Sequence, residues 1–318
     1  MCALGLFTQK LLAAEVPSEE TKTKDPQTNT KLVKPTPDPK NDEADKIITN
    51  RMIRASTGSL SRFSMNTALS YSGGSLTNPF AAERPNIANA GDTTSIVGVS
   101  GSIIGSLRIN PTTRLNLGAG LQMLAPFNDS IKSNDPNAQR EFKENRGELD
   151  IANPFVSLSK MSNIAGIQSV ATLSVSQFTA GNFTDSGYQN EVGLSWNTLY
   201  NVGTSGFSVG ALMLYSKYIF NNDDPALLRR QTDVVYGILP QAEYVINDRF
   251  NLRTIVRSNW YQNTNADRDF VRRPVTQSVG LGISVSRDVF LYPNIQFAYK
   301  NLSADNTNIG FTANINMF

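Results

Sequence analysis

From Gly58 to the C-terminus, large apolar residues recur at every second position in one run after another. That period is the period of a β-strand, whose successive side chains point to opposite faces. Phe63, Met65, Thr67, Leu69 and Tyr71 alternate with Arg62, Ser64, Asn66, Ala68 and Ser70. Val97, Val99, Ile103, Leu107 and Ile109 alternate with Gly98, Ser100, Ser102, Ser106 and Arg108. Leu115, Leu117, Ala119, Leu121 and Met123 oppose Arg114, Asn116, Gly118, Gly120 and Gln122. A chain patterned this way must give its two strand faces two different surroundings, one apolar and one small and polar.

Nine further runs follow. They are marked by Val156/Leu158, Ala171/Leu173/Val175, Val192/Leu194/Trp196/Tyr200, Phe207/Val209/Ala211/Met213/Tyr215, Tyr236/Ile238/Ala242/Tyr244, Leu252/Val256/Trp260, Val279/Leu281/Ile283/Val285, Leu291/Ile295/Phe297/Tyr299 and Ile309/Phe311/Ala313/Ile315. The total is twelve strands. Connections at 110–112, 161–165, 201–205, 247–249 and 287–288 are tight, with Asn, Asp, Gly and Pro at turn positions. Those at 72–93, 126–148, 179–189, 220–232, 262–274 and 301–307 are longer and mostly charged. Strict alternation of short and long connections is what an up-and-down barrel produces, with tight turns at one end and loops at the other.

The competing architecture is a soluble β-sandwich or barrel with its apolar faces turned inward. A closed barrel of roughly twelve strands has a bore too wide for its own side chains to fill. Apolar faces turned outward would instead meet lipid. Aromatic residues agree with the lipid placement. Phe63, Tyr200, Phe207 and Tyr244 fall near the short-turn end, and Tyr71, Tyr215, Tyr236, Trp260 and Tyr299 near the long-loop end, as two interfacial girdles would. The chain also lacks a long uninterrupted apolar segment that could cross a bilayer as a helix.

By these features the sequence resembles the bacterial outer-membrane β-barrel superfamily over residues 58–318. The resemblance rests on the two-residue repeat, the alternating loop lengths, and the terminal strand Asn308–Phe318, which ends in phenylalanine. It implies an all-β, transmembrane, up-and-down antiparallel barrel of a Gram-negative cell. The short turns and N-terminal tail would be periplasmic and the long loops extracellular. It also implies assembly by the barrel-insertion machinery with periplasmic chaperones, with Phe318 as the assembly signal. One feature departs from the family pattern: Phe318 has the opposite parity to Ile309, Phe311, Ala313, Ile315 and Met317. Small outward residues such as Gly101 and Gly105 are compatible with a homo-oligomer of barrels.

The inward faces then define the site. Arg62, Arg108, Arg114, Arg253, Arg257 and Lys300 have inward parity, with Glu243 as the clear inward acid and Glu191 placed near a rim on the outward face. A cationic wall around water raises the local anion concentration. The expectation is a porin-like channel for small hydrophilic solutes with mild anion preference, needing no cofactor. The alternative is a non-conducting structural or interaction barrel, closed by its tail or loops. Loop 126–148, with charges of both signs, is a candidate constriction.

Composition argues against other classes. With 29 Lys+Arg against 27 Asp+Glu, nothing suggests nucleic-acid binding. There is no histidine, which removes the usual general base and the triads built on it, and no nucleophile elbow or phosphate-binding loop is present. The single cysteine, Cys2, rules out a disulfide framework or multi-cysteine metal site.

The N-terminus reads differently. Residues 1–14 resemble the remnant of a signal peptide. Residues 15–57 form a Pro- and charge-rich tail whose composition disfavours a packed core, with prolines at 17, 26, 35, 37 and 39. Within it, 44–55 is a candidate short helix with Ile48, Met52 and Ala55 near one face. Such a helix could plug a pore, touch a neighbouring subunit or meet the cell wall.

Overall fold

The computed structural model describes residues 42–89, 91, 93–132, 139, 142, 143, 147–221, 231–263 and 269–317, apart from the side chains of Asp42, Asn89, Asn182, Asn259, Trp260, Gln262 and Asn263. The expected signal-peptide remnant, the tail up to residue 41 and Phe318 lie outside the described residues.

Two short helices, α1 (Asp42–Ile47) and α2 (Arg51–Ser56), precede the strands. The barrel is formed by β1 (Phe63–Ser75), β4 (Gly98–Asn110), β5 (Thr113–Leu124), β6 (Asp150–Ile164), β7 (Ile167–Gln177), β8 (Tyr188–Asn201), β9 (Phe207–Phe220), β10 (Thr232–Val245), β11 (Phe250–Asn263), β13 (Thr276–Ser284), β14 (Val289–Ala298) and β15 (Asn308–Asn316). Each pairs antiparallel with its chain neighbour, and β1 pairs with β15, so twelve strands close with no free edge. Closure lets neighbouring strands pair their backbone groups within the wall, as a lipid-facing sheet requires. The long-loop end also carries a small hairpin, β2 (Glu83–Pro85) with β3 (Thr94–Ile96), helix α3 (Gly181–Thr184), and β12 (Phe270–Arg272), which extends the pairing along β11. Among the described residues no helix is long and apolar enough to cross a membrane.

The faces segregate as the alternation requires. Leu117, Leu158, Leu173, Leu194, Leu252 and Ile238 are exposed on the outer wall, while Gln168, Ser208, Asn251, Ser278 and Asn308 are buried on the inner one. Phe63, Tyr200, Phe207 and Tyr244 stand exposed at one end, and Tyr215 and Tyr299 at the other. Gly101 is held by the wall itself: a Cβ there would fall 1.9 Å from the carbonyl oxygen of Ala68 on the neighbouring strand.

Three positions depart from simple parity. Asn153 adopts φ 53°, and β6 shifts register so that Gly118 faces Phe155 while Gly120 faces Ala152. This bulge reverses the strand's faces: Ile151 is exposed before it and Val156 after it. Asn153 stabilises the bend by accepting the N–H groups of Thr179 and Ala180 at 2.9 and 3.1 Å. Met161, expected in a turn, instead lies within β6 and points inward, because the chain reverses at Ala165–Gly166, both with positive φ. Val97, expected on the lipid face, is fully buried just before β4, where it hydrogen-bonds to Ala82 and Ala125 of the long connections.

A charge on the outer wall must be desolvated by lipid, whereas one on the inner wall keeps polar neighbours. Leu173→Arg is expected to lower folding stability in vesicles by about 2–4 kcal/mol. Ser174→Arg, one residue along and inward, is expected to cost well under half of that, both read from urea titrations.

Candidate functional site: a stoppered polar lumen

The N-terminal segment does not stay outside. Its residues 42–57, expected within the tail as a possible short helix that could plug a pore, touch a neighbouring subunit or meet the cell wall, run into the short-turn end of the barrel and lie within it. Ile53 is 0% and Ile48 1% exposed, and with Met52 and Ala55 they pack on Met161, Leu199, Phe290 and Tyr292 from three wall strands. These wall residues all project inward at the same end, so the stopper and the barrel make one small apolar core. Burial of each large side chain contributes about 1.5–3 kcal/mol.

The expected single helix over 44–55 is two helices with a break at Thr49–Asn50. The break is built from side chains. Asn50 caps α2 by accepting the Ile53 N–H at 3.0 Å. The Arg54 guanidinium donates to the carbonyls of Asp45 and Ile48, both at 2.6 Å, closing the end of α1. Gln168 on β7, 1% exposed, accepts the N–H groups of Thr49 and Asn50 at 2.6 and 2.9 Å. A buried polar residue in the wall thereby meets backbone that would otherwise be unpaired.

Polar contacts tie the stopper to several turns. Arg287, in the β13–β14 turn, pairs with Asp45 at 2.8 Å and with Asp288 at 2.8 Å. Arg51 pairs with Asp248 at 2.9 Å and donates to the Asn247 carbonyl at 3.0 Å, in the β10–β11 turn. Asn163, beside the β6–β7 turn, donates to the Ile47 carbonyl at 3.1 Å.

The residues singled out from the sequence therefore have unequal positions. Arg114, 2% exposed, and Arg108 both point inward, and each donates to the Ser59 carbonyl, at 2.7 and 3.0 Å. Arg253 and Glu243 are buried opposite each other on β11 and β10. Glu243 accepts from the Asn50 side chain at 3.0 Å, and Arg253 donates to Gln241 at 2.7 Å. Four of the seven expected lumen groups thus lie at the stopper. Arg257 lines an open cavity further along. Two placements are corrected. Arg62 precedes β1 and is exposed, with its guanidinium 5.9 Å from the Phe63 ring, so it belongs to the outer rim. Lys300 lies in the turn beyond β14 and is exposed, since the strand ends at Ala298 before inward parity can act on it.

Glu191 is also corrected. It faces inward from β8, level with Ser176 and Tyr218, because Val192, Leu194 and Trp196 take the outer face. It lines a cavity of about 500 Å³ above the stopper, whose floor is Ser56 and Thr57 and whose wall includes Ser157, Thr172, Ser174 and Ser195. A second cavity of about 510 Å³ lies towards the long-loop end. There residues 83–89 meet the inner wall: Ile87 packs on inward Ala298, and Asn308 donates to the Pro85 carbonyl at 3.0 Å. In the 126–148 loop, Phe142 packs instead with Ala82 and Ala125.

No protein-family model and no curated protein matches the sequence. The structure is similar to an outer membrane channel from Pseudomonas putida F1, with TM-score 0.50 and 13% identity over 81% of this chain and 96% of that one. The NanC porin aligns over 79% of this chain and 97% of its own, with TM-score 0.43 and 10% identity. The likeness to the Pseudomonas putida channel is one of fold, which in this chain is a closed antiparallel barrel of twelve strands.

Two substitutions test the stopper. Ile53→Ala is expected to weaken its docking by about 2–4 kcal/mol, read as faster amide exchange over 48–57 with the barrel strands unchanged. At Gly58, φ is +90° and a Cβ would fall 2.6 Å from Arg114 Nη1. Gly58→Ala is therefore expected to cost about 1 kcal/mol or more in the same measurement.

Proposed function

We propose that the protein is a porin-like channel of the Gram-negative outer membrane for small hydrophilic solutes, held closed at its short-turn end by residues 42–57. The observation that carries this reading is the cavity of about 500 Å³, lined by eight serines and threonines with the apolar Ile104, Phe155, Met161, Val170 and Leu212 among them, inside a wall that is apolar on its outer side. Such a lining offers hydrogen bonds to water and to solutes without a strong site to trap them. The fold's likeness to a channel supports it. The short turns and N-terminus would be periplasmic and the long loops extracellular. Assembly would use the barrel-insertion machinery and chaperones, with lipid as the surrounding solvent. No enzymatic chemistry is proposed.

The charges now suggest where selectivity would arise. Arg108 and Arg253 are engaged at the stopper; Arg114, which lines the first cavity, and Arg257, which lines the second, are the expected arginines that would bias the open part of the lumen towards anions, with Glu191 opposing them. A second reading has its own support. The apolar core between stopper and wall favours a barrel that stays shut and serves a structural role.

Planar-bilayer recording separates the two. Full-length protein is expected to show rare, small steps, and Ile53→Asp to show frequent, larger ones, because an unpaired charge cannot stay in that core. In a salt gradient the opened variant is expected to reverse on the anion side, and Arg257→Gln to reduce that shift. Silence from both folded proteins would favour the structural barrel; cation selectivity would overturn the charge argument.

A further inference from the structure

The cavity at the long-loop end is lined differently from the serine-rich one. Its wall is broken where β11 passes from β13 to β12: Phe250–Arg257 pair with one and Trp260–Gln262 with the other. The intervening residues are Arg273, Pro274 and Val275, and proline has no N–H to offer a ladder. Arg273 and Pro274 line the cavity at this break, with the Arg273 guanidinium 4.6 Å from the centroid of the Tyr261 ring.

Arg257 lines the same cavity from β11. Among the described residues it forms no ion pair, and its buried Nη1 has no hydrogen-bond partner. A half-buried guanidinium without a counter-charge is costly in isolation and is compensated by an arriving anion. No acid lines this cavity among the described residues. Facing the arginines is an aromatic wall. Tyr188 and Tyr218 meet edge-on with centroids 5.4 Å apart, and Phe183 meets Tyr188 edge-on at 5.9 Å. The Tyr188 hydroxyl accepts the Thr232 N–H at 3.0 Å, which fixes the ring further.

We propose that this vestibule binds a small carboxylate carried on a ring. The carboxylate meets Arg257 and Arg273, and the ring lies against the wall of Phe183, Tyr188 and Tyr218. The volume, about 510 Å³, falls in the range of small-molecule sites. The two features select together. A neutral sugar has a ring and no charge, and acetate has the charge and no ring. The proposal names a solute class for the channel and rests on the channel reading for its access route.

Calorimetry on the folded full chain in detergent, with D-glucuronate and benzoate as probes and D-glucose and acetate as controls, tests it. At least one ring carboxylate is expected to bind about tenfold or more tightly than either control. A preference for glucuronate or benzoate supports the site and shows whether the ring is a sugar or an aromatic. Arg257→Gln and Arg273→Gln are each expected to weaken binding about tenfold, and Arg257→Lys, which keeps the charge, to recover part of the loss. The strand signal in circular dichroism confirms that each variant folds. Equal binding of acetate, unchanged affinity in both glutamine variants, or no heat from either ring carboxylate overturns the proposal. Binding heat with silent bilayers would overturn the channel reading and leave the site standing; conductance without binding heat would do the reverse.

Discussion

Closure of the wall is the constraint from which the rest follows. A strand in lipid has no water for its N–H and C=O groups, so all twelve strands must pair on both sides. Closure at that number leaves a bore wider than its own side chains can fill. The molecule meets the resulting space in three ways along its length. At the short turns it inserts its own N-terminal helices, at mid-depth it leaves a polar cavity, and beneath the loops it places aromatic rings and arginines around a second cavity.

The stopper explains why the interior breaks its own rule at one end. Many inward residues at mid-depth are small and polar, as Ser174, Ser195 and Ser278 are. Met161, Leu199, Phe290 and Tyr292 are large and inward, and they make sense only as the receptor for Ile48, Met52 and Ile53. Around this dry centre stands a ring of polar contacts, with Gln168, Glu243 and Asn50 inside and Arg51, Arg287 and Asp45 at the rim. Apolar packing supplies affinity, and the polar ring sets the orientation in which the helices dock. The plug is held through turns and side chains and has no strand of its own in the wall.

Much of the site was legible from parity and was read only in part. Glu191 shares odd numbering with Gly193 and Ser195, opposite Val192 and Leu194, so its inward aim was available from the alternation alone. Phe290 and Tyr292 likewise oppose Leu291 and Ile295, and large inward apolar residues gathered at one end signal something that covers them. Other positions could not be read that way. Arg62 and Lys300 have inward parity but fall outside the strands, where parity has no meaning. Across the Asn153 bulge the parity itself changes sign.

The sequence by itself determined the wall: how many strands, which side meets lipid, and which end carries the tight turns. These are local properties, set by a two-residue period and by turn chemistry within a few residues. Only the tertiary structure decided what fills the bore. The pairing of Asp45 with Arg287, of Asn50 with Glu243 and of Ile53 with the Phe290 cluster joins residues about two hundred positions apart in the chain. Such contacts depend on where closure brings the strands, and no local pattern encodes that.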